Sequence, residues 1–443
     1  MGERAGGGGA GRDAGGTRGA RRARSAGSAP RTPLRVGILT VGNEVLEGRR
    51  ADTHRGALAR EVAAAGGEVA FLLSVGDDAA RIARAIREGL REASLVIVTG
   101  GLGATPDDVT REALARAFGA PLCEDGAVRA RLEARFRERG RARPPGAIRQ
   151  ALIPRGARTL PNPVGLAPGL LLSRGGRRVV ALPGVPSEFG AIVAGSVRPL
   201  LARLARGPRA ARALLRTYGV GESDLAARIA PLVAGERGVT LGFLPDVEGV
   251  EVSIAVAGRD ASRRVARIAR AVARRLGDAV YSTRGESAAA VVLRRIARRG
   301  ERLAVAESFT GGAVASRLAA VPGASRAFVG GVVAYGADAK RRALGVSARV
   351  LDRHGMVSEA TARAMAAGAR RRLAADWAVA TTGVAGPASL EGKPPGTAFG
   401  AVAGPDGIRS ASWRLWGTRE ETRARGASAA LDLLRRALLG LAP

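Results

Sequence analysis

Leu95-Val-Ile-Val-Thr-Gly-Gly-Leu-Gly-Ala-Thr-Pro-Asp-Asp-Val-Thr110 decides the fold of the first half of the chain. Leu95–Val98 is a short, unbroken apolar run, as expected of a strand buried on both faces, and it runs into a glycine-rich turn. Asp107 and Asp108 then stand ahead of a helix predicted over Val109–Phe118. The same order of strand, Gly/Asp turn and helix occurs twice upstream. Leu34–Val41 leads through Gly42-Asn-Glu-Val-Leu-Glu-Gly48 to a helix opened by Asp52-Thr-His54 and running through Ala64. Glu68–Ser74 leads through Val75-Gly-Asp-Asp78 to a helix over Ala79–Glu92. Three such units predict an α/β fold with a mostly parallel sheet wrapped by helices in three layers. Ligands of such sheets bind at the carboxyl ends of the strands, where all of these turns fall.

That edge carries the first candidate site. Thr99, Gly100, Gly101 and Gly103 offer bare backbone for close approach of a nucleotide phosphate. Asp107 extends this nucleotide-binding set, and Asp108, Asp52 and Glu44 are hard oxygen ligands suited to a divalent cation, Mg²⁺ or similar, that bridges a pyrophosphate. The alternative is that Asp107 and Asp108 only cap the following helix. Further on, Pro183-Gly-Val-Pro186 bends the chain, Ser187-Glu188 caps a helix running to about Arg206, and Glu188 faces the same site.

The second site is written in Arg302-Leu-Ala-Val-Ala-Glu-Ser-Phe-Thr-Gly-Gly312. Arg302–Ala306 reads as a strand and Gly311–Ala320 as a helix, with Ser308, Thr310, Gly311 and Gly312 in the turn between them. The N–H groups of a helix N-terminus there would hold a developing oxyanion. Of 71 Lys and Arg residues, only Lys340 and Lys393 are Lys. A chain that uses Arg almost everywhere keeps Lys where Arg cannot serve, because a buried Lys can lose its proton and Arg does not. Ser308 and Lys340 therefore read as nucleophile and base, with Tyr335 as a proton relay. The competing reading is a capped helix start and two incidental lysines.

Composition narrows the remaining classes. The chain has 443 residues, 46% of them hydrophobic but only 3% aromatic, so its cores are built from Ala, Val and Leu. One cysteine, Cys123, excludes an intramolecular disulfide, and two distant histidines, His54 and His354, argue against a His-rich zinc site. No apolar run approaches the ~20 residues of a membrane span, so a soluble, cytoplasmic chain is expected. The net charge of +32 admits nucleic acid as a partner. Yet Arg is spread over predicted helices without interleaved aromatics, which favours anionic small-molecule substrates.

Residues 1–33, rich in Gly, Arg and Ala, read as a disordered extension or an over-long start outside the fold. Residues 34–206 form the first domain and residues 207–283 a small α/β connector. The connector has strands over Val239–Leu244 and Val250–Ala257 and a helix over Ala261–Leu276. Residues 284–443 form the last domain, with a strand at Phe328–Tyr335, an element Ala337–Leu344 carrying Lys340, a helix Met356–Arg372, strands Asp376–Thr381, Ala398–Ala403 and Trp413–Trp416, and a closing helix Arg419–Leu439.

The motifs taken together resemble the CinA family. Gly42–Gly48, Asp52-Thr-His, Val75–Asp78, Thr99–Thr110, Asn162-Pro-Val-Gly-Leu-Ala-Pro-Gly169 and Leu182-Pro-Gly-Val-Pro-Ser-Glu188 are similar to its amino-terminal domain. That domain has the molybdopterin-binding fold of the MogA/MoeA type and is associated with metal-dependent ADP-ribose pyrophosphatase activity. Ala104 stands where Pro is usual, and His54 where Asn is usual. In the family the connector resembles a KH module, although the typical GXXG clamp is not evident here. Ala306–Gly312, Gly331–Lys340, Thr382–Pro387, Lys393-Pro-Pro-Gly-Thr397 and Gly417-Thr-Arg-Glu-Glu-Thr-Arg423 are similar to the nicotinamide-nucleotide amidohydrolase (PncC) domain.

The resemblance implies deamidation of nicotinamide mononucleotide, in pyridine nucleotide salvage, with Ser308 as nucleophile, Lys340 as base and Tyr335 assisting. It implies that Thr382, Gly383 and Arg423 line the nucleotide pocket, with no cofactor at this site. Lys393 suits an acidic partner or the substrate phosphate. Phe309 replaces a common Cys, and Ala388-Ser389 an Asp-Gly-Gly run. A homodimer is expected. Two other readings are pterin-nucleotide binding without hydrolysis and a competence-associated, nucleic-acid-linked protein.

Overall fold

The computed structural model describes residues 34–442 apart from 139, 141, 143, 206–210 and 259. The extension read over residues 1–33 lies outside the described residues. The chain divides into two compact units, one up to Gly207 and one from Pro208 onward.

In the first unit, strands β1 (Arg35–Val41), β2 (Glu68–Val75) and β3 (Leu95–Thr99) alternate with helices α1 (Asn43–Leu46), α2 (Thr53–Ala64), α3 (Ala79–Glu92) and α4 (Thr110–Phe118). Asp52 and Asp78 cap α2 and α3, their carboxylates accepting N–H groups of the first turn. The segment up to Leu182 adds β4 (Leu122–Glu124), α5 (Gly126–Glu138), β5 (Leu152–Pro154), β6 (Arg158–Leu160), β7 (Gly169–Arg174) and β8 (Arg177–Leu182). The six-stranded sheet has the order β2-β1-β3-β8-β7-β6. Its first four strands are parallel, while β7 and β6 join antiparallel. Apolar clusters cover both faces, one around Ile38, Ile97 and Phe189 and the other around Leu39, Val98 and Leu114. Helices α6 (Pro186–Ile192) and α7 (Arg198–Leu204) close the unit. The residue at the start of α6 is Val185 and not Ser187 or Glu188, and it makes no side-chain cap.

The second unit contains two sheets. Strands β9 (Ala211–Thr217), β10 (Val239–Asp246), β11 (Gly249–Val256) and β12 (Val280–Ser282) form an antiparallel sheet in the order β10-β11-β9-β12. It is backed by α8 (Glu222–Val233) and α9 (Ala261–Leu276). Helix α10 (Ala288–Arg298) then leads into β13 (Leu303–Glu307), α11 (Ala313–Ala319), β14 (Phe328–Val333), α12 (Ala337–Leu344), α13 (Ala348–His354), α14 (Glu359–Arg372), β15 (Trp377–Gly383), β16 (Thr397–Gly404), β17 (Gly407–Arg414) and α15 (Arg419–Leu438). This sheet runs β14-β13-β15-β16-β17, parallel over its first three strands. The two sheets share packing. Tyr218 lies against the cluster that holds Leu303, Trp377 and Leu434. Arg435 donates to the Asp278 carbonyl at 2.9 Å, and Arg317 faces Glu248 at 3.8 Å.

Candidate functional site

The carboxyl end of β13 carries the nucleophile turn. Glu307 ends the strand, and Ser308 N–H donates across the sheet to the Thr381 carbonyl at 3.0 Å. Helix α12 brings Lys340 to the same point. Lys340 is fully buried, and its Nζ lies 3.0 Å from Ser308 Oγ. The Ala334 and Tyr335 carbonyls lie 2.9 Å from the same nitrogen. Three polar atoms thus surround an amine. In its neutral form it donates two N–H groups to the carbonyls and turns its lone pair to the Ser308 hydroxyl. Burial lowers the Lys340 pKa to about 8, with the Glu391 carboxylate partly opposing that fall. The pair lies at the wall of a pocket of about 260 Å³. Phe309, Met356, Val384 and Pro387 supply apolar lining, and Thr382, Gly383 and Arg419 a polar edge.

Several expected roles change. Tyr335 lines the pocket, but its hydroxyl accepts a hydrogen bond from Arg419 at 2.7 Å, and only its carbonyl touches Lys340. Direct contact between Ser308 and Lys340 leaves no gap for a relay. Gly311 and Gly312 are not free oxyanion donors either. Gly311 N–H donates to the Ser308 carbonyl at 3.0 Å. The buried Glu307 carboxylate accepts from the N–H groups of Gly312 at 2.9 Å, Val314 at 3.1 Å and Ala315 at 2.8 Å, so it fills the start of α11 itself. The N–H groups of Phe309 and Thr310 carry no hydrogen bond among the described residues. They are the donors next to the nucleophile.

The Thr310 hydroxyl is buried against Thr381 Oγ1 at 2.7 Å. Arg423, expected in the pocket, instead grips the Thr310 carbonyl from behind at 3.1 and 3.3 Å. One turn earlier on α15, Arg419 is the cation that does line the pocket. The Gly417–Arg423 motif pointed to this helix; the two arginines share a face and differ by one turn along the axis, which decides which of them reaches the pocket. Thr382 lines the pocket while its hydroxyl donates to the Met356 carbonyl at 2.6 Å. Lys393 lies outside it, 3.9 Å from Glu391.

In the first unit, the turns at the carboxyl ends of β1, β3 and β8 enclose a second pocket of about 420 Å³. Thr99, Gly100, Gly101, Gly103, Asp107, Asp108, Asp52, Glu44 and Glu188 all line it. His54 lines it too. Its Nδ1 is 3.0 Å from Thr99 Oγ1, its ring is stacked on Phe189 at 3.9 Å, and burial lowers its pKa.

The acids do not form a ready metal cage. Asp52 accepts from Thr40 Oγ1 at 2.6 Å and from Arg55 N–H at 3.0 Å, and Asp108 accepts from the Thr105 N–H at 2.9 Å and from its hydroxyl. Among the described residues no three His, Cys, Asp or Glu side chains are grouped as metal ligands. Asp77, part of the Val75–Asp78 turn but outside the candidate ligand set, also lines this pocket. Burial raises its pKa; the Asn43 N–H at 2.8 Å opposes the rise, and Glu44, Asp107 and Asp108 add to it.

No helix among the described residues is long and apolar enough to cross a membrane. Three family models match the chain: "Probable molybdopterin binding domain" over residues 37–203, "Damage-inducible protein CinA KH domain" over 212–282, and "CinA C-terminal domain" over 285–438. A "CinA-like protein" of Frankia casuarinae is 43% identical over 420 residues, covering 92% of this chain and 97% of that one. One of Gemmatimonas aurantiaca is 42% identical over 410 residues, covering 91% and 96%. The crystal structure of "the protein CinA with unknown function from Thermoplasma acidophilum" is 35% identical, covering 38% of this chain and 98% of that one, with a TM-score of 0.36. With relatives of this identity aligned over nine-tenths of its length, the chain belongs to the CinA family.

Proposed function

We propose that the second-unit pocket hydrolyses the carboxamide of nicotinamide mononucleotide to nicotinate mononucleotide and ammonia. The buried Ser308–Lys340 pair is the observation that carries this reading. Neutral Lys340 takes the Ser308 proton as Oγ attacks the carboxamide carbon. The Phe309 and Thr310 N–H groups hold the oxyanion. Lys340 returns the proton to the departing nitrogen, so ammonia leaves and an acyl-enzyme remains. Water, deprotonated by the same amine, adds to the acyl carbon and releases nicotinate mononucleotide and Ser308. The apolar walls suit the pyridine ring, and Arg419 suits the phosphate. Ammonia release from nicotinamide mononucleotide by wild type and by Ser308→Ala tests this reading. Release that the variant loses supports it, and no release from folded wild type overturns it.

For the first unit we propose a metal-dependent nucleotide pyrophosphatase acting on ADP-ribose. The support is a glycine-rich turn facing Glu44, Asp77, Asp107 and Asp108 across one pocket. These residues do not suit a resident ion held by a full protein cage. They do suit Mg²⁺ arriving with a pyrophosphate, since Mg²⁺ keeps waters and takes one or two carboxylates plus substrate oxygens. When bound, the cation would neutralise charge on the bridging phosphates. AMP release from ADP-ribose, abolished by EDTA and restored by Mg²⁺, is the expected result. Tight pterin-nucleotide binding with no AMP release would replace this reading by binding alone.

A further inference from the structure

The glycine-rich turn of the first unit is held from beneath by helix α4 and one neighbouring arginine. Thr110 Oγ1 donates to the Gly100 carbonyl at 2.8 Å and Thr110 N–H to the Gly101 carbonyl at 3.1 Å. Arg111 donates through Nη1 to the Leu102 carbonyl at 2.6 Å and through Nη2 to the Gly103 carbonyl at 2.7 Å. Arg149 continues the series at the Thr105 carbonyl, 2.7 Å away. In a trans peptide the C=O of one residue and the N–H of the next point in opposite directions. Four carbonyls drawn to one side therefore turn the N–H groups of Gly101, Leu102, Gly103 and Ala104 to the other. None of these four carries a hydrogen bond among the described residues. Gly100 and Gly101 make the turn possible, with φ of 106° and 65°.

Two side chains here are left unsatisfied. Arg111 is only 2% exposed, forms no ion pair among the described residues, and has a buried Nε without a partner. Burial disfavours its charge, and the Glu112 and Asp108 carboxylates offset that only through space, so an anion seated on the turn would stabilise it further. Gln150 lines the first-unit pocket, is 7% exposed, and its buried Oε1, an acceptor, has no partner among the described residues. An acceptor in that state calls for a donor, such as a hydroxyl or a metal-bound water that arrives with the phosphates, and not for a phosphate oxygen.

We infer that Arg111 is the positioning residue of a pyrophosphate seat in this pocket: its guanidinium aims the Gly101–Ala104 N–H groups at the anion and adds buried positive charge behind them, while Gln150 Oε1 accepts from a donor that accompanies the anion. The inference rests on reading this pocket as a phosphate site. It adds residues, outside the turn itself, that hold the seat in shape.

Titration calorimetry with inorganic pyrophosphate and Mg²⁺ tests it. Arg111→Gln is expected to weaken binding by tenfold or more, and Arg111→Lys, which keeps the charge but not the two-carbonyl grip, to recover part of that loss. Wild-type affinity in Arg111→Gln would overturn the inference while leaving the phosphate reading standing. No pyrophosphate binding by wild type would overturn both. Should the variants fail to fold, amide hydrogen exchange of the wild type decides. Pyrophosphate is expected to protect the amides of Gly101–Ala104, and protection that bypasses this stretch overturns the seat.

Discussion

Lys340 Nζ and Ser308 Oγ lie 3.0 Å apart, and the lysine is fully buried. Burial costs a protonated amine its hydration, its other hydrogen-bond partners among the described residues are two backbone carbonyls, and the Glu391 carboxylate offsets only part of the loss, so the neutral form becomes accessible near neutral pH. That relationship governs the first two predictions.

The rate of amide hydrolysis follows the fraction of neutral Lys340. With the amine pKa lowered to about 8, kcat/KM for nicotinamide mononucleotide rises with pH and levels off above that value. Lys340→Arg keeps the charge but cannot lose it, and activity falls by roughly 10²–10⁴-fold. A pH–rate profile of wild type beside the variant checks both. A flat profile in the wild type removes Lys340 as the base.

The same depressed pKa shapes stability. The unfolded lysine titrates near its ordinary 10.5 and the folded one near 8, so between those values the unfolded chain binds more protons. Stability therefore rises with pH across that window, and below it the folded state carries the full penalty of a buried charge. Relative to Lys340→Met, the wild type gains about 3 kcal/mol as the pH rises from 8 to 10.5, since each tenfold drop in proton activity across that window is worth ~1.4 kcal/mol. Urea unfolding of both proteins across that range reads the difference directly.

Glu307 is a buried carboxylate that accepts three helix N–H groups and faces no cation among the described residues. Glu307→Ala strands those donors and costs roughly 2–4 kcal/mol. Glu307→Gln keeps the shape, loses the charge and sits between. Because the carboxylate fixes the turn that follows, kcat falls in both variants with little change in KM. Denaturant melts and steady-state kinetics together separate this from a role in substrate binding.

Arg419 is the pocket's cation and is braced by Tyr335 Oη at 2.7 Å. Arg419→Ala raises KM for nicotinamide mononucleotide by about tenfold, the worth of one charge-assisted contact, with kcat nearly kept. KM for nicotinamide riboside, which lacks the phosphate, is unchanged by the same substitution. An equal rise for both substrates assigns Arg419 to pocket shape and not to charge recognition.

Much of this architecture is legible in the chain. The strands at Arg35, Glu68 and Leu95 and the helices Thr53–Ala64 and Ala79–Glu92 follow from apolar runs, Asp caps and turn glycines. Residues 119–182 are harder to read, because β4, β5 and β6 have three residues each, too few to show a period. One signal there is readable: Gly175 and Gly176, both at positive φ between two apolar runs, mark the tight hairpin of β7 and β8. At the site, the scarcity of lysine singles out Lys340. Tyr335 and Gly312 are read from their place near the nucleophile turn and Arg423 from motif membership, and both kinds of reading name a neighbourhood but not where a hydroxyl, an N–H or a guanidinium points. Glu307 escapes notice because a lone acid at a strand end looks like any helix cap.

The contacts of Tyr218, Arg435 and Arg317 bear on how the molecule comes apart. Three family segments are written in the sequence, yet the middle one lends its tyrosine to the core of the last and is tied to it at Asp278 and Glu248. The border near residue 283 is thus a seam in ancestry and not in cooperativity. Heated slowly, the connector melts together with the last domain and has no transition of its own to display.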